Sequence, residues 1–260
     1  MQHRHVDRQQ YFDEQVESAG KFLLPYIRDA APSLKKSSRV LEIGCGEGGN
    51  LVPFLELGCE CYGIEFYEES YHNAITFHAK LSDNQHLHLI NDDVYNITYQ
   101  DLGGKFDVVF LRDVLEHIPA QEVFMQHLKQ FLQPDGVVFF AFPPWRMPFG
   151  GHQQICKHRF LSKLPYFHIL PAKIYERILN MCGENPKGLL EIKRTGMSIN
   201  RFKRIIRKEN YTIIKHTHWF INPNYEVKFG LKPQKLPKIL QIPFLQDFYT
   251  TAVYYLCGLF

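Results

Sequence analysis

The chain has 260 residues, 45% of them hydrophobic and 22% charged, with a formal net charge of +3. That length buries a large core as one α/β domain with insertions, and the composition is that of an ordinary globular protein. The small net charge gives no reason to expect nucleic acid, and with no run of about 18 apolar residues no membrane span is predicted.

Apolar residues near a 3.6 period (Phe12, Val16, Ala19, Phe22, Leu23, Ile27) predict a helix over 11–30. A strand is expected at 39–43, then a glycine turn that opens a helix ending before Gly58. Strand two is 60–65, followed by a helix over 67–81. Strand three is 86–90 and strand four is 106–111, a buried-type run. A helix at 120–132 stops before Pro134-Asp135-Gly136, a turn signal, and strand five is 137–142. Five strands alternating with helices predict a parallel sheet covered on both faces, with ligands at the carboxyl ends of the strands.

After residue 142 the rhythm breaks. Residues 143–197 are rich in Pro, Gly, His and aromatics, with short helices expected near 172–182 and 186–193. A helix at 198–209 and a strand at 211–220 resume the alternation. Residues 221–249 form a second, proline-containing insertion, and 250–257 is a β-branched and aromatic final strand. The expectation is one domain over 1–260, with 143–197 and 221–249 forming a lid over the substrate. The six cysteines (45, 59, 61, 156, 182, 257) include no pair at CxxC spacing and read as reduced thiols. Met1 is followed by Gln-His-Arg-His with no apolar export signal, so a cytoplasmic protein is expected.

The most informative stretch is Val40-Leu41-Glu42-Ile43-Gly44-Cys45-Gly46-Glu47-Gly48-Gly49-Asn50. Glycines there let the backbone approach a ligand, and a helix start offers unpaired N–H groups. Gly44, Gly46 and Gly49 satisfy G-x-G-x-x-G, while Glu42, Gly44, Gly46 and Gly48 satisfy E-x-G-x-G-x-G. The turn alone therefore fits a nicotinamide dinucleotide or S-adenosylmethionine. Glu65, at the end of strand two, suits the ribose hydroxyls of either cofactor. Asp92-Asp93 closes strand three beside the expected adenine position.

Taken in order, Val40–Asn50, Gly63-Ile64-Glu65, Asp92-Asp93-Val94, Phe106–Val109, Asp113–Ile118 and Phe131–Gly136 resemble class I S-adenosylmethionine-dependent methyltransferases. The likeness is greatest to the small-molecule group that includes quinone-biosynthesis enzymes, and covers residues 37–142. Asp135 stands where such families usually carry a second glycine, at a turn that tolerates Asp. The resemblance implies a Rossmann-like seven-stranded, mostly parallel sheet with an antiparallel last strand. It implies an enzyme with S-adenosylmethionine as cofactor. Gly44, Cys45 and Gly46 would line its methionine and ribose, and Glu42 would orient the turn or reach the methionine ammonium. Glu65 would bind the ribose, and Asp93 with the Val94 N–H the adenine, Asp92 competing for that role. Arg112 would touch the methionine end through its backbone.

Methyl transfer from a sulfonium needs alignment and exclusion of water more than acid–base groups. Should a base be required, His117 and His152 are the catalytic candidates, against packing or loop roles for each. Tyr11, Tyr166 and His168 are candidates to line the acceptor pocket. His152, Cys156 and His158 match no common zinc spacing, so no metal is expected. The basic helix around Arg201–Lys208 and the lysines at 228, 232, 235 and 238 beside apolar residues read as solvated faces. They also suit an anionic acceptor or peripheral contact with a membrane surface. The expected acceptor is a small molecule, apolar or anionic, methylated on oxygen or nitrogen, with no nucleic acid partner. Two other readings stay open: a methyltransferase-like binding protein without catalysis, and a nicotinamide-dependent oxidoreductase.

Overall fold

A computed structural model describes residues 7–31, 34–81 and 85–259. In β1 (Arg39–Ile43), four consecutive residues from Val40 are buried, as a strand covered on both faces requires. The other strands are β2 (Glu60–Glu65), β3 (Leu87–Asn91), β4 (Phe106–Arg112), β5 (Leu132–Phe142), β6 (Thr212–Ile221), β7 (Gln234–Lys235) and β8 (Ala252–Gly258). They form one sheet in the order β3-β2-β1-β4-β5-β8-β6-β7. Strands β1 to β5 are parallel, and β8 runs antiparallel to both β5 and β6. The seven expected strands are all present. The eighth, β7, adds a two-residue edge from the second insertion.

The helices follow from capping and pattern. α1 (Arg8–Ser18) starts where the Asp7 carboxylate accepts the Gln10 N–H at 2.9 Å. The single helix expected over 11–30 is interrupted by a π-helical stretch, Ala19–Leu23, before α2 (Leu24–Ala30), which has Pro25 in its first turn. A 3-10 turn, Gly49–Leu51, leads into α3 (Val52–Glu56), and α4 (Glu68–His78) follows β2. α5 (Gln121–Leu128) precedes β5. The turn expected at 134–136 lies inside β5 instead. Phe106 pairs with Leu132 but Val108 with Val137, so the extra residues bulge out of the ladder without ending the strand.

α6 (Ala172–Met181) and α7 (Lys187–Thr195) belong to the first insertion, which has a small core of its own built on Leu161, Phe167, Tyr175 and Leu179. α8 (Ile199–Lys208) is capped by Ser198, whose hydroxyl accepts the Arg201 N–H at 3.1 Å. α9 (Asn224–Phe229) and α10 (Gln246–Tyr249) lie in the second insertion. The two insertions are tied together: Arg146 Nη1 donates to Asp247 at 3.0 Å, and the Tyr166 hydroxyl donates to the Phe248 carbonyl at 3.2 Å.

Side-chain alternation splits the core. Val138, Phe140 and Phe142 of β5 face α5 and α8, while Phe139 and Ala141 face the layer formed by residues 19–31 and α3. The strand order reverses between β1 and β4, which opens a crevice at their carboxyl ends. Phe202 anchors α8 to the sheet against Phe140, Phe142 and Tyr255, with ring centroids 5.3, 5.0 and 4.8 Å away. Phe202→Ala is expected to cost about 3–5 kcal/mol by leaving a cavity among these rings. Urea unfolding measures it, and a loss well below that range would mean that α8 is held by other contacts.

Candidate functional site

The crevice is floored by the turn between β1 and α3. Gly44, Gly46 and Gly48 have φ of 70°, 55° and 78°, the left-handed region that favours glycine. At Gly44 a Cβ would also stand 2.5 Å from Val114 Cγ2, so no larger residue fits between the turn and the end of β4. The N–H groups of Gly44 and Cys45 donate to the Ile64 carbonyl at 2.8 and 3.1 Å, which fixes the turn to β2. The Cys45 side chain is buried beneath it, and burial raises its thiol pKa well above the ordinary value.

Glu65 is held from two sides. Its oxygens accept the Gly46 N–H at 2.8 Å and the Tyr67 N–H at 2.7 Å. The carboxylate is thereby fixed at the end of β2 against the turn. At the end of β3, Asp92 accepts its neighbour's N–H and the Asn96 amide, at 2.6 and 2.8 Å. Asp93 accepts the Tyr95 N–H at 3.0 Å, and caps the short 3-10 turn that buries Val94.

α1 roofs the other side of the turn. Gln15 Oε1 accepts the Gly49 N–H at 3.2 Å, and a Cβ on Gly49 would lie 2.6 Å from the Phe12 carbonyl. Glycine at this position is what allows the two backbones to approach. Arg8 adds an ion pair to the fully buried Glu47, its Nε 2.7 Å from the carboxylate.

Between the turn, α1 and α9 lies a small crevice open to solvent. Its lining includes Tyr11, Gln15, Ser18, Asn50, Arg112, Asp113 and Lys228. Arg112 turns its guanidinium toward this cavity, whereas a backbone role had been expected. Nη1 donates to Asn50 Oδ1 at 2.7 Å, and Nη2 donates to Ser18 Oγ at 2.5 Å and to Asn224 Oδ1. Asn50 in turn donates to Glu42 Oε1 at 2.7 Å. Glu42 therefore braces the helix start through Asn50. It is fully buried, its second oxygen has no partner among the described residues, and desolvation raises its pKa well above the ordinary value. The Tyr11 ring lies under Arg8, whose guanidinium carbon is 4.9 Å from its centroid, and burial with the nearby Asp113 pushes its phenol up to about 12.

The structure brings His117 and His152 together from distant segments, with ring centroids 4.9 Å apart and edge-on. It places Tyr166 and His168 elsewhere. Tyr166 binds the second insertion through Phe248 and lines an outer groove with Ile169, Leu170 and Pro171. His168 is fully buried, with Nε2 2.7 Å from the Trp145 carbonyl, and desolvation lowers its pKa to about 4. A neutral, sealed imidazole cannot line an acceptor pocket, so the substrate role expected of His168 is withdrawn in favour of a structural one.

Sequence reasoning did not find Ser18, Gln15, Asn224 or Asp113. The first three are polar residues at helical positions with no motif around them. Asp113 carried a signal: it opens the Asp113–Ile118 motif just past a buried strand, and the structure holds it at φ of 57°, in the left-handed region.

With the geometry described, comparison with known proteins is informative. The family described as "Methyltransferase domain" matches residues 12–164, more than half of the chain, and the chain belongs to that family. It is similar to the ubiquinone biosynthesis O-methyltransferase of Rhizobium etli (strain CIAT 652), 31% identical over 131 residues, covering 45% of this chain and 50% of that one. The Actinobacillus pleuropneumoniae serotype 5b (strain L20) enzyme of the same name is 35% identical over 121 residues, covering 45% and 50%. The chain thus spans about half the length of the curated relatives it matches. Among solved structures, geranyl diphosphate C-methyltransferase from Streptomyces coelicolor A3(2) aligns with a TM-score of 0.55 at 10% identity, over 91% of this chain and 79% of that one. That likeness establishes the shared Rossmann-like fold beyond the region matched in sequence.

Glu42 yields a pH prediction. Its folded pKa lies above its unfolded value of 4.5, so the unfolded state ionises first and stability is lost as pH rises from there. Glu42→Gln should leave stability unchanged at about pH 4 and raise it by about 1–3 kcal/mol at pH 7. Thermal or urea unfolding across that range tests this; equal stability of the two proteins at pH 7 would show the carboxylate to be ionised and compensated.

Proposed function

We propose that the chain transfers a methyl group from S-adenosylmethionine to a small-molecule acceptor. One observation carries this reading: the positive-φ glycine turn at the end of β1 meets a carboxylate, Glu65, pinned by two N–H groups at the end of β2. A fixed acid beside bare backbone suits a ribose with two hydroxyls, since each Glu65 oxygen keeps a lone pair for a further donor. Asp93 and the Val94 backbone are the residues for the adenine, with Asp92 the more exposed neighbour. Arg112 is the group for the methionine carboxylate. Its hydrogen-bond partners Asn50, Ser18 and Asn224 are all neutral, and no carboxylate forms an ion pair with it among the described residues. The guanidinium is therefore held in place with its charge still able to attract an anion. Family membership and the S-adenosyl-L-homocysteine bound in the Streptomyces structure support the same cofactor.

The bound cofactor supplies an activated methyl on a positively charged sulfur. The chain's own task is to orient both reactants and exclude water. α1 covers the turn, and Tyr11 closes the cavity from above. The insertions at 143–197 and 221–249 supply the acceptor walls: His152 comes from the first and Asn224 from the second. Oxygen is the favoured acceptor atom, because the curated relatives are named O-methyltransferases. Cytoplasmic placement rests on six free thiols.

Calorimetry with S-adenosylhomocysteine should show binding, and with NADH none; binding of NADH alone would overturn the reading. Glu65→Ala should weaken S-adenosylhomocysteine by about 1–3 kcal/mol through lost charge-assisted hydrogen bonds. Unchanged affinity would remove Glu65 from the site, and binding without turnover of any acceptor would favour a silent binding protein.

The second insertion also supports peripheral contact with an anionic membrane surface. Ile239 is 81% exposed, and Phe229, Leu231, Ile242 and Phe244 are each about half exposed, in a segment that carries Lys228, Lys232, Lys235 and Lys238. No helix among the described residues is long and apolar enough to cross a membrane. The chain should co-sediment with phosphatidylglycerol vesicles and lose that binding in Ile239→Asp/Phe244→Asp; recovery in the supernatant regardless of anionic lipid would end this reading.

A further inference from the structure

We propose that Glu116, His117 and His152 form a binding site for one divalent first-row transition cation, placed to take the acceptor oxygen. The site is assembled from two segments. Glu116 and His117 lie on the 3-10 turn Leu115–His117 after β4, and His152 sits 35 positions past His117 in the first insertion. One ligand atom from each residue lies within 4.8 Å of the other two. His117 Nε2 is 3.9 Å from Glu116 Oε1. Ligands around a cation at bond lengths of about 2.0–2.2 Å stand roughly 3–4 Å apart, so small side-chain rotations close the set.

Glu116 supplies an independent reason to expect a cation. Its side chain is 97% buried, since only 3% remains exposed, and neither carboxyl oxygen has a hydrogen-bond partner among the described residues. A carboxyl group sealed from water without a donor is costly, and an acid that can be dispensed with is easily replaced by an apolar residue. Here one of the unpartnered oxygens lies within 4.8 Å of a ring nitrogen of each imidazole. The loop that presents His152 is tightly built. A Cβ on Gly151 would lie 2.1 Å from His168 Cβ, and one on Gly150 would lie 2.4 Å from the Trp145 carbonyl. His168, anchored to that same carbonyl, is thus a positioning residue behind the His152 loop.

The ligand chemistry selects the ion. Two imidazoles and one carboxylate suit zinc, manganese or iron, whereas magnesium and calcium prefer oxygen donors throughout. Three protein ligands leave positions for an exogenous oxygen, the arrangement of reactive rather than purely structural sites. Asp113 links this cluster to the cofactor cavity: it lines the cavity, and its charge acts on Glu116, His117 and Tyr11. The sequence reading expected no metal because it weighed His152 with Cys156 and His158. In the structure Cys156 is instead part of the apolar core of the insertion.

The role in catalysis rests on the methyl-transfer reading. An acceptor hydroxyl bound to the cation gives up its proton to solvent more readily. The oxygen lone pair then forms the C–O bond while the C–S bond of the sulfonium breaks, its electron pair staying on sulfur. The products are a methyl ether, a thioether and one proton. This makes hydroxyl-bearing molecules, phenols and enols above all, the acceptor class.

The full chain, stripped with chelator and dialysed, is titrated by calorimetry with zinc and manganese salts, with magnesium as the oxygen-preferring comparator. One equivalent of zinc or manganese should bind, with magnesium much weaker. Glu116→Gln and His152→Ala should each weaken binding by about 100-fold or more, above the loss typical of outer-shell changes, and leave S-adenosylhomocysteine affinity unchanged. Should Glu116→Gln fail to fold, as judged by circular dichroism, His152→Ala at the partly exposed rim carries the test. Absence of stoichiometric binding, or binding that survives both substitutions, overturns the site. Metal binding without S-adenosylhomocysteine binding would leave the site standing and sink the methyl-transfer reading. Activity indifferent to chelator would overturn the assignment of the acceptor oxygen to the cation.

Discussion

The guanidinium of Arg112 is the interaction on which this molecule's crevice depends. It leaves the end of β4 and reaches three separate elements: Asn50 in the 3-10 turn before α3, Ser18 at the end of α1, and Asn224 at the start of α9. Through Asn50 it also connects to Glu42 within β1. A planar fork with five donors can satisfy several acceptors in fixed directions, which an ammonium cannot do as well. One side chain thereby registers the glycine turn, the N-terminal helix and the second insertion against the sheet. Ser18 and Asn224 also bond each other at 2.6 Å, so the helix and the insertion meet at that point rather than merely pass it.

The sheet itself is less specialised. It sets the strand ends in a row and, because the strand order reverses between the parallel β1 and β4, leaves a crevice there. Other elements come from outside the alternating core: α1 beside the turn, and two insertions that contact each other. The division has a physical basis. Strand and turn positions are dictated by packing and by backbone dihedrals, so they tolerate little change, whereas insertions with their own small core can be rebuilt without disturbing the floor. The Arg146–Asp247 and Tyr166–Phe248 contacts make the two insertions one wall rather than two independent flaps.

Most of the floor was legible in the sequence. β1 and β2 fall at their expected residues because short, mostly apolar runs end at a glycine or at a carboxylate, signals that act over a few neighbours. The glycine spacing marked the turn, and Glu65, expected at the end of a strand, stands there and accepts the Gly46 N–H. What was not legible is long-range. Ser18 and Asn224 are 206 positions apart, and nothing local marks either as a partner of Arg112. The side-chain role of Arg112 was missed for the same reason: a strand-end position foretells where the backbone goes, but not which distant oxygens await the guanidinium. Pro134-Asp135-Gly136 misled in the opposite direction. Its residues are those of a turn, yet pairing with β4 carries the strand through it as a bulge. The π-helical stretch at Ala19–Leu23 also escaped, since one added residue in a helical ring barely alters an apolar period.

Two buried acids show how burial alone does not assign a role. Glu42 and Glu116 are both sealed from solvent, and desolvation drives both carboxyls well above their ordinary pKa. Glu42 has an amide donor 2.7 Å away on Asn50, itself bound to Arg112, so part of its cost is offset inside the fold. Glu116 has no such donor among the described residues; what faces it are the two imidazoles of His117 and His152. On the nitrogen that faces Glu116 an imidazole offers either a proton or a lone pair, and in the neutral ring the other nitrogen takes the opposite role. Were the imidazoles to offer protons, hydrogen bonds to Glu116 would be the economical geometry, yet the His117 nitrogen stands 3.9 Å from it, beyond such a bond. A carboxyl without a donor, one oxygen of it within 4.8 Å of a nitrogen of each ring, is a ligand set that fits a cation. Burial is the same for both acids; the neighbours, an amide donor for Glu42 and two imidazoles for Glu116, separate a scaffold acid from the proposed ligand.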